Sequence, residues 1–428
     1  MNLMRRGIFF YAICCAWLLS VPQVSYGQMS EMESLKALVR DIGERLQGAL
    51  KRIEELEKEK AASAGKIEQL EQDKVASGSR LGQVEKSVRA VQSAPMALNP
   101  AIGMVIDATA EHRAKTGGNF NFRTAELGIA ASIDPFARAY AFIGAKKDEV
   151  ELEEATIVTT ALPWNLTARA GRLFADFGRL PKYHADSLPF VNFPLSLERI
   201  AGGESKSDGV ELSYLFPTPF FLRGTVGGYN KIGEENERLD DTKSRAWSRF
   251  TYLSRLHSYF DISDDHSIEM GTSMAYTPSI RIPEDPHGGS RTLTGVDLTY
   301  RYQPLGSTFH QGLTIGGELF GNSERVGRAS GFRRTFAPGG YAYAEAKLSR
   351  EWAAGFLFDH APSLSSPGKK TIGYSPFLTW NLSEFNRLRF QYSFLDDKVK
   401  EQKTEQGHQF FLQWTTFLGS HAHGFRVR

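Results

Sequence analysis

Between Ala101 and Leu418, apolar and polar residues alternate with a period of two in one short segment after another. That period puts successive side chains on opposite faces of a strand and cannot be laid on a helix. In one segment Leu388, Phe390, Tyr392 and Phe394 share a face, with Arg387, Arg389, Gln391 and Ser393 opposite. In another, Val296, Leu298, Tyr300 and Tyr302 oppose Gly295, Asp297, Thr299 and Arg301. Leu313, Ile315 and Leu319 likewise oppose Thr314, Gly316 and Glu318. The polar face bears full charges, which a dry protein core would not tolerate at that density.

Sixteen such segments are predicted. They centre on 104–109, 122–131, 136–145, 150–160, 166–174, 209–215, 221–229 and 249–259 in the first half. The second half supplies 267–276, 293–302, 312–320, 341–348, 352–358, 372–380, 388–394 and 409–418. The links after even-numbered segments are short, as at Asp134-Pro135, Pro163-Trp164, Pro217-Thr218-Pro219 and Ser349-Arg350. Most links after odd-numbered ones are long and polar: 230–248, 277–291, 321–340, 359–371 and 395–408. Short turns on one rim, long loops on the other and an even strand number predict an all-β transmembrane barrel of the outer-membrane type. The apolar face then meets lipid, with Trp164, Tyr214, Phe216, Tyr276, Tyr302 and Trp380 near strand ends as interfacial aromatics. The charged face lines water, and a barrel of this strand number is wide enough to hold it.

The chain ahead of Ala101 follows a different period. From Met32 to Val91 a seven-residue repeat runs unbroken, with fourteen of its eighteen a and d positions apolar. Only Lys60, Ser63, Lys74 and Ser77 interrupt the seam. A strict heptad held for so long predicts a left-handed coiled coil, because 3.5 residues per turn keeps one stripe facing a partner. About 60 helical residues would make a rod of roughly 90 Å. Such a helix needs a second copy, so a homo-oligomer is expected, with a trimer favoured. Pro95 and Pro100 end it.

The first 27 residues have the layout of a secretory signal peptide: Arg5 and Arg6, an apolar run from Ile8 to Val21, then small residues at Ser25 and Gly27. Its removal would take both cysteines, Cys14 and Cys15, and lower the formal net charge from +2 to 0. The mature chain would then hold no disulfide or Cys-ligated metal. The charge balance argues against a nucleic-acid partner. The expected organisation is a signal peptide over 1–27, a periplasmic coiled-coil stalk over 28–95 and an outer-membrane barrel over 96–428.

One connection differs from the others. Residues 175–208 mix charges with apolar pieces, Leu188-Pro189-Phe190-Val191 and Phe193-Pro194-Leu195. A long, partly apolar segment at a rim needs somewhere to bury its side chains, and the lumen is that place. The candidate constriction residues are Arg179, Lys182, His184, Asp186, Glu198 and Arg199 on this segment. On the strands they are Arg223, Arg249, Arg255, Asp297, Arg301, Glu318, Arg387 and Arg389. No cofactor is assigned. Neither is a metal site, since His421 and His423 are only two ligands. No nucleophile elbow or Ser/His/acid set is recognisable, so the chain is not read as an enzyme.

A coiled coil, a barrel of about 16 strands and a long connection after strand five resemble the phosphate-selective porin family. The run Gly171-Arg172-Leu173-Phe174-Ala175-Asp176-Phe177-Gly178, followed by His184 and Leu188-Pro189-Phe190, also resembles uncharacterised outer-membrane proteins. Some of those are labelled zinc-regulated TonB-dependent receptors. The resemblance implies a channel for small hydrophilic solutes or ions. Two departures limit what it implies. Arg179, Lys182, Arg199 and Lys206 are offset by Asp176, Asp186, Glu198, Glu204 and Asp208, which does not fit a phosphate constriction. A TonB-dependent receptor needs a plug domain ahead of a 22-stranded barrel, whereas residues 28–95 read as a coiled coil and too few residues remain. The alternative readings are a non-conducting barrel tethered to the cell wall, with peptidoglycan as partner of the stalk, and a substrate-specific uptake receptor for phosphate or metal.

Overall fold

The computed structural model describes residues 51, 52, 58, 100–233, 246–282, 285–304, 311–328, 331–364, 368–397 and 407–419. The chain divides into two units, Met1–Ala94 and Pro95–Arg428. In the first, Lys51, Arg52 and Lys58 are helical. The rest of the expected coiled coil, the expected signal peptide and His421 and His423 lie outside the described residues.

The second unit is a closed antiparallel barrel of sixteen strands, each paired with its sequence neighbours. The strands are β1 (Ala101–Arg113), β2 (Gly117–Ser132), β3 (Ala137–Ala145), β4 (Val150–Thr159), β5 (Leu166–Phe174), β6 (Lys206–Leu215), β7 (Phe221–Tyr229) and β8 (Thr251–Ser263). They continue as β9 (His266–Ile282), β10 (Asp285–Tyr302), β11 (Gly312–Arg328), β12 (Gly331–Lys347), β13 (Trp352–Pro362), β14 (Lys370–Asn381), β15 (Asn386–Asp397) and β16 (Gly407–Gly419). β1 pairs with β16 from Gly103↔Gly419 to Arg113↔Gln409, so no edge is left open.

The period of two sorts the side chains as expected. Val296, Leu298, Leu319, Phe390 and Trp414 point outward and are exposed, while Asp297, Thr299, Glu318, Arg389 and Gln413 point inward and are buried. Every predicted strand is present, but the loops expected at 277–291 and 321–340 are mostly strand. β9 and β10 run to within two residues of each other, as do β11 and β12. Their polar sequence misled because a ladder that rises clear of an apolar environment needs no apolar face. Arg249, predicted at the start of a strand, instead ends a 3-10 turn, Trp247–Arg249, ahead of β8.

Residues 175–205 connect β5 to β6 and lie inside the barrel. Two 3-10 turns, Leu180–Lys182 and Ala185–Ser187, lead to one short helix, α1 (Leu195–Ala201), which ends on Gly202 in the left-handed region. Phe177, Leu180, Leu188, Phe190, Leu197 and Ile200 form a core with inward residues of the wall, among them Leu253, Leu293, Phe320, Tyr341, Tyr343 and Phe377. Among the described residues this is the larger of two apolar cores, and the inserted segment makes it possible.

Candidate functional site

The inserted segment is bound to the wall chiefly through its backbone. A seven-residue helix and two single turns leave many N–H and C=O groups without internal partners, and wall side chains supply them. Glu318 accepts hydrogen bonds from the N–H of Arg179 at 3.0 Å and of Leu180 at 2.6 Å. Tyr341 donates its hydroxyl proton to the same carboxylate. Gln391 accepts from Val191 N–H at 2.8 Å, Asp359 accepts from Ser196 N–H at 3.2 Å, and Ser273 accepts from Gly178 N–H at 3.1 Å. In the other direction Arg123 donates to Val191 O at 2.7 Å, and Arg389 donates to Phe190 O at 3.1 Å. Arg387 donates to Asp186 O. The segment therefore spans the lumen rather than hanging over the rim.

Its charges meet the wall in one network. Asp176 lies 2.6 Å from Lys182 Nζ, 3.3 Å from Arg223 and 3.4 Å from Arg255, and it accepts from Thr225 Oγ1 at 2.8 Å. Burial favours the neutral acid there, but Lys182, Arg223 and Arg255 outweigh it and hold Asp176 well below the usual carboxylate range. Arg255 also grips Asp297 through two bonds of 2.7 and 3.0 Å. Glu269 gathers Arg179 at 3.1 Å, Arg301 at 2.6 Å and His257 at 3.1 Å.

The sequence-derived candidates thus fall into groups. Arg179, Lys182, Arg223, Arg255, Asp297, Arg301 and Glu318 come together at the foot of the segment. Arg387 and Arg389 hold its middle, with Asp186 nearby. Arg199 on α1 is fixed elsewhere, donating to Ala361 O at 3.3 Å and Thr371 Oγ1 at 2.9 Å. Glu198 accepts the capping N–H of Gly202 through its backbone. Arg249 joins none of these groups.

Around the short-turn rim the inner face is cationic. Arg138, Arg223, Arg301, Lys347 and Arg387 fall at inward positions near the ends of β3, β7, β10, β12 and β15, all at least partly exposed. Asp261, Glu269 and Glu345 oppose them from β8, β9 and β12.

His184 stands apart from all of this, buried between Phe142 and Phe174 at ring distances of 5.1 and 4.7 Å. Its Nδ1 lies 3.1 Å from Glu126 and 2.9 Å from Glu153, and its Nε2 lies 3.2 Å from Glu154. A bulge makes this possible. The β3–β4 register passes from Phe142↔Glu154 to Ile143↔Leu152 and skips Glu153, so two consecutive glutamates both face inward. Gly144 opposite leaves the room, since a Cβ there would collide with the Glu153 carboxylate. Sequence reasoning picked out His184 but missed Glu153 and Glu154. The signal available was the run Glu151-Leu152-Glu153-Glu154, which breaks strict alternation. Nearby Glu204 is pushed up to about 7 chiefly by desolvation, with His184 and Lys206 opposing the rise and the charges of Glu153 and Glu126 adding to it.

No family model matches this chain. A protein of Aquifex aeolicus (strain VF5), described as uncharacterized, is 29% identical over 331 residues, which is 71% of this chain and 69% of that protein. Among solved structures, in-vitro folded OmpT, an outer-membrane protein of Vibrio cholerae in its trimer form, matches with a TM-score of 0.51 at 9% identity. That match covers 74% of this chain and 99% of OmpT. The anion-selective porin of Comamonas acidovorans matches with a TM-score of 0.50 at 12% identity, over 75% of this chain and 99% of its own. At these identities the likeness is one of fold: a closed barrel of the outer-membrane porin kind.

Proposed function

We propose that the chain is an outer-membrane channel for passive diffusion of small hydrophilic solutes or ions, narrowed by residues 175–205 and made oligomeric by a periplasmic coiled coil. The observation that carries this reading is the closed barrel with an apolar outside and a charged inside. A wall of that kind separates lipid from water, and its inner charges set which solutes pass. Homo-oligomerisation, the N-terminal stalk and export by a cleaved leader belong to the same proposal and rest on the sequence. So does membership of the phosphate-selective porins or their relatives. No catalytic role is proposed.

The excess of cations on the inner face at the short-turn rim favours anions over cations, since charges along a narrow aqueous path act through a lower effective dielectric than in bulk water. The density of bonds between segment and wall favours one competing reading, a barrel that does not conduct and serves as an anchor. Planar-bilayer recording separates the two. Conducting steps with a reversal potential favouring anions are expected, and replacing Arg138, Arg301 and Lys347 with Ser should move that potential toward cations. A purified, correctly folded barrel that gives no steps would make it an anchor.

A further inference from the structure

We propose that His184 Nδ1 and the carboxylates of Glu126 and Glu153 form a binding site for one divalent transition-metal ion, which pins the inserted segment to β2 and β4. The three ligand atoms all lie within 4.8 Å of one another, on three buried residues. The two distances from Nδ1, 2.9 and 3.1 Å, are those expected between neighbouring donors around one ion. With metal–ligand bonds of about 2.0–2.1 Å, neighbouring donors stand roughly 2.9 Å apart in an octahedral shell and roughly 3.3 Å in a tetrahedral one.

The surroundings fix the imidazole for this role. Glu154 Oε2 already accepts from Tyr140 OH and from Phe174 N–H, both at 3.4 Å. Its other oxygen faces Nε2 at 3.2 Å and accepts a hydrogen bond from it in the tautomer that carries its proton on Nε2. A carboxylate holding one ring N–H turns the lone pair of the other nitrogen toward the metal and raises its basicity. In neutral His184 that lone pair points at two carboxylate oxygens, so a cation between the three atoms turns repulsion into coordination. Phe142 and Phe174 on either side keep water out and strengthen the interaction. The β4 bulge and the space over Gly144 serve no need of the barrel ladder but are what bring Glu153 into position. One imidazole nitrogen with carboxylate oxygens suits zinc or its first-row neighbours better than calcium, which takes oxygen ligands only.

The full chain in detergent, stripped with a chelator and dialysed, would be titrated with Zn2+ against a chromophoric competitor. One tight site per chain is expected. H184A and E153Q should each weaken it by about 100-fold, and E154Q, acting through the ring, by about 10- to 100-fold. H257A, at the unrelated Glu269 cluster, should leave it unchanged. Zinc bound equally by H184A and the parent, no site at all in the parent, or Ca2+ bound as tightly as Zn2+ would each overturn the proposal. X-ray absorption of the zinc-loaded parent gives a second test that does not depend on the folding of any variant. A nitrogen and oxygens at about 2.0–2.1 Å agree with the site, and a shell of oxygen alone contradicts it. None of these readouts depends on conduction, so the channel reading can fail without affecting this one.

Discussion

Gly178 has a backbone φ of +62°, and a Cβ built on it would run into the Glu318 carboxylate. The residue sits just before the two N–H groups that Glu318 anchors. Ala there would cost roughly 1–2 kcal/mol for the left-handed backbone alone and would also push Glu318 away. The barrel ladder does not involve this turn, so G178A should insert and fold normally while its segment undocks. Faster limited proteolysis within 175–205 and a larger, noisier conductance are the expected signs. Asp176→Asn tests the same docking from the electrostatic side, leaving Lys182, Arg223 and Arg255 facing one another. Breaking a buried ion pair typically costs 3–5 kcal/mol, so D176N should release the segment more completely than G178A. Equal protease resistance in D176N and the parent would show that the network does not hold the segment. At this scale the sequence was only partly informative. His184, Arg179 and Glu318 could be chosen because charged residues at inward or loop positions are costly, but which acid meets which base depends on a register that no local pattern encodes. Glu153 illustrates the gap, because its direction comes from a bulge that two strands create together.

The strands were the most legible elements, since period two survives wherever one face is apolar. β5 and β7 run over the same residues in sequence and structure. Prediction failed where the apolar face ends, in the upper parts of β9 to β12, because two polar faces look like a loop. The inserted segment was visible only as an anomaly: apolar pieces where a polar link was due. Its docking partners, Tyr341, Tyr343 and Phe377, are aromatics at inward positions, a deviation that could have been noticed. Removing Pro189–Gly203 should widen the path, because Phe190, Leu197 and Ile200 leave the lumen with it. A barrel of sixteen closed strands keeps its own hydrogen bonds, so folding should persist and conductance should rise. An unchanged conductance would put the constriction among the wall side chains instead. β16 offers a test of the opposite face. Leu412 and Trp414 point outward, and Lys at both would place charges in lipid at a cost of roughly 2–4 kcal/mol each near the midplane. Poor insertion of that double variant, measured by heat-modifiable migration of membrane fractions, is the expected result.

For the molecule as a whole, the barrel needs no partner to close its sheet, whereas the proposed coiled coil would need one. β1–β16 pairing satisfies the backbone within one chain. In the proposed coiled coil the apolar a and d positions from Met32 to Val91 would bury only against another copy, because a stripe that narrow covers only another such stripe. Assembly should therefore depend on the N-terminal repeat and folding on the barrel, so the two should be separable. Deleting Glu31–Gln92 should yield a folded, inserted barrel that is mainly monomeric in native mass measurement, while the full chain is oligomeric. The polar positions Lys60, Ser63, Lys74 and Ser77 allow a finer version of the test. Replacing all four with Leu or Ile extends the seam through its weak middle, and should raise the temperature at which the oligomer dissociates without changing how the barrel unfolds. If the truncated chain remains as oligomeric as the full one, the subunits must meet through the barrel walls. The exposed outward residues of β16 and its neighbours would then be the place to look for the interface.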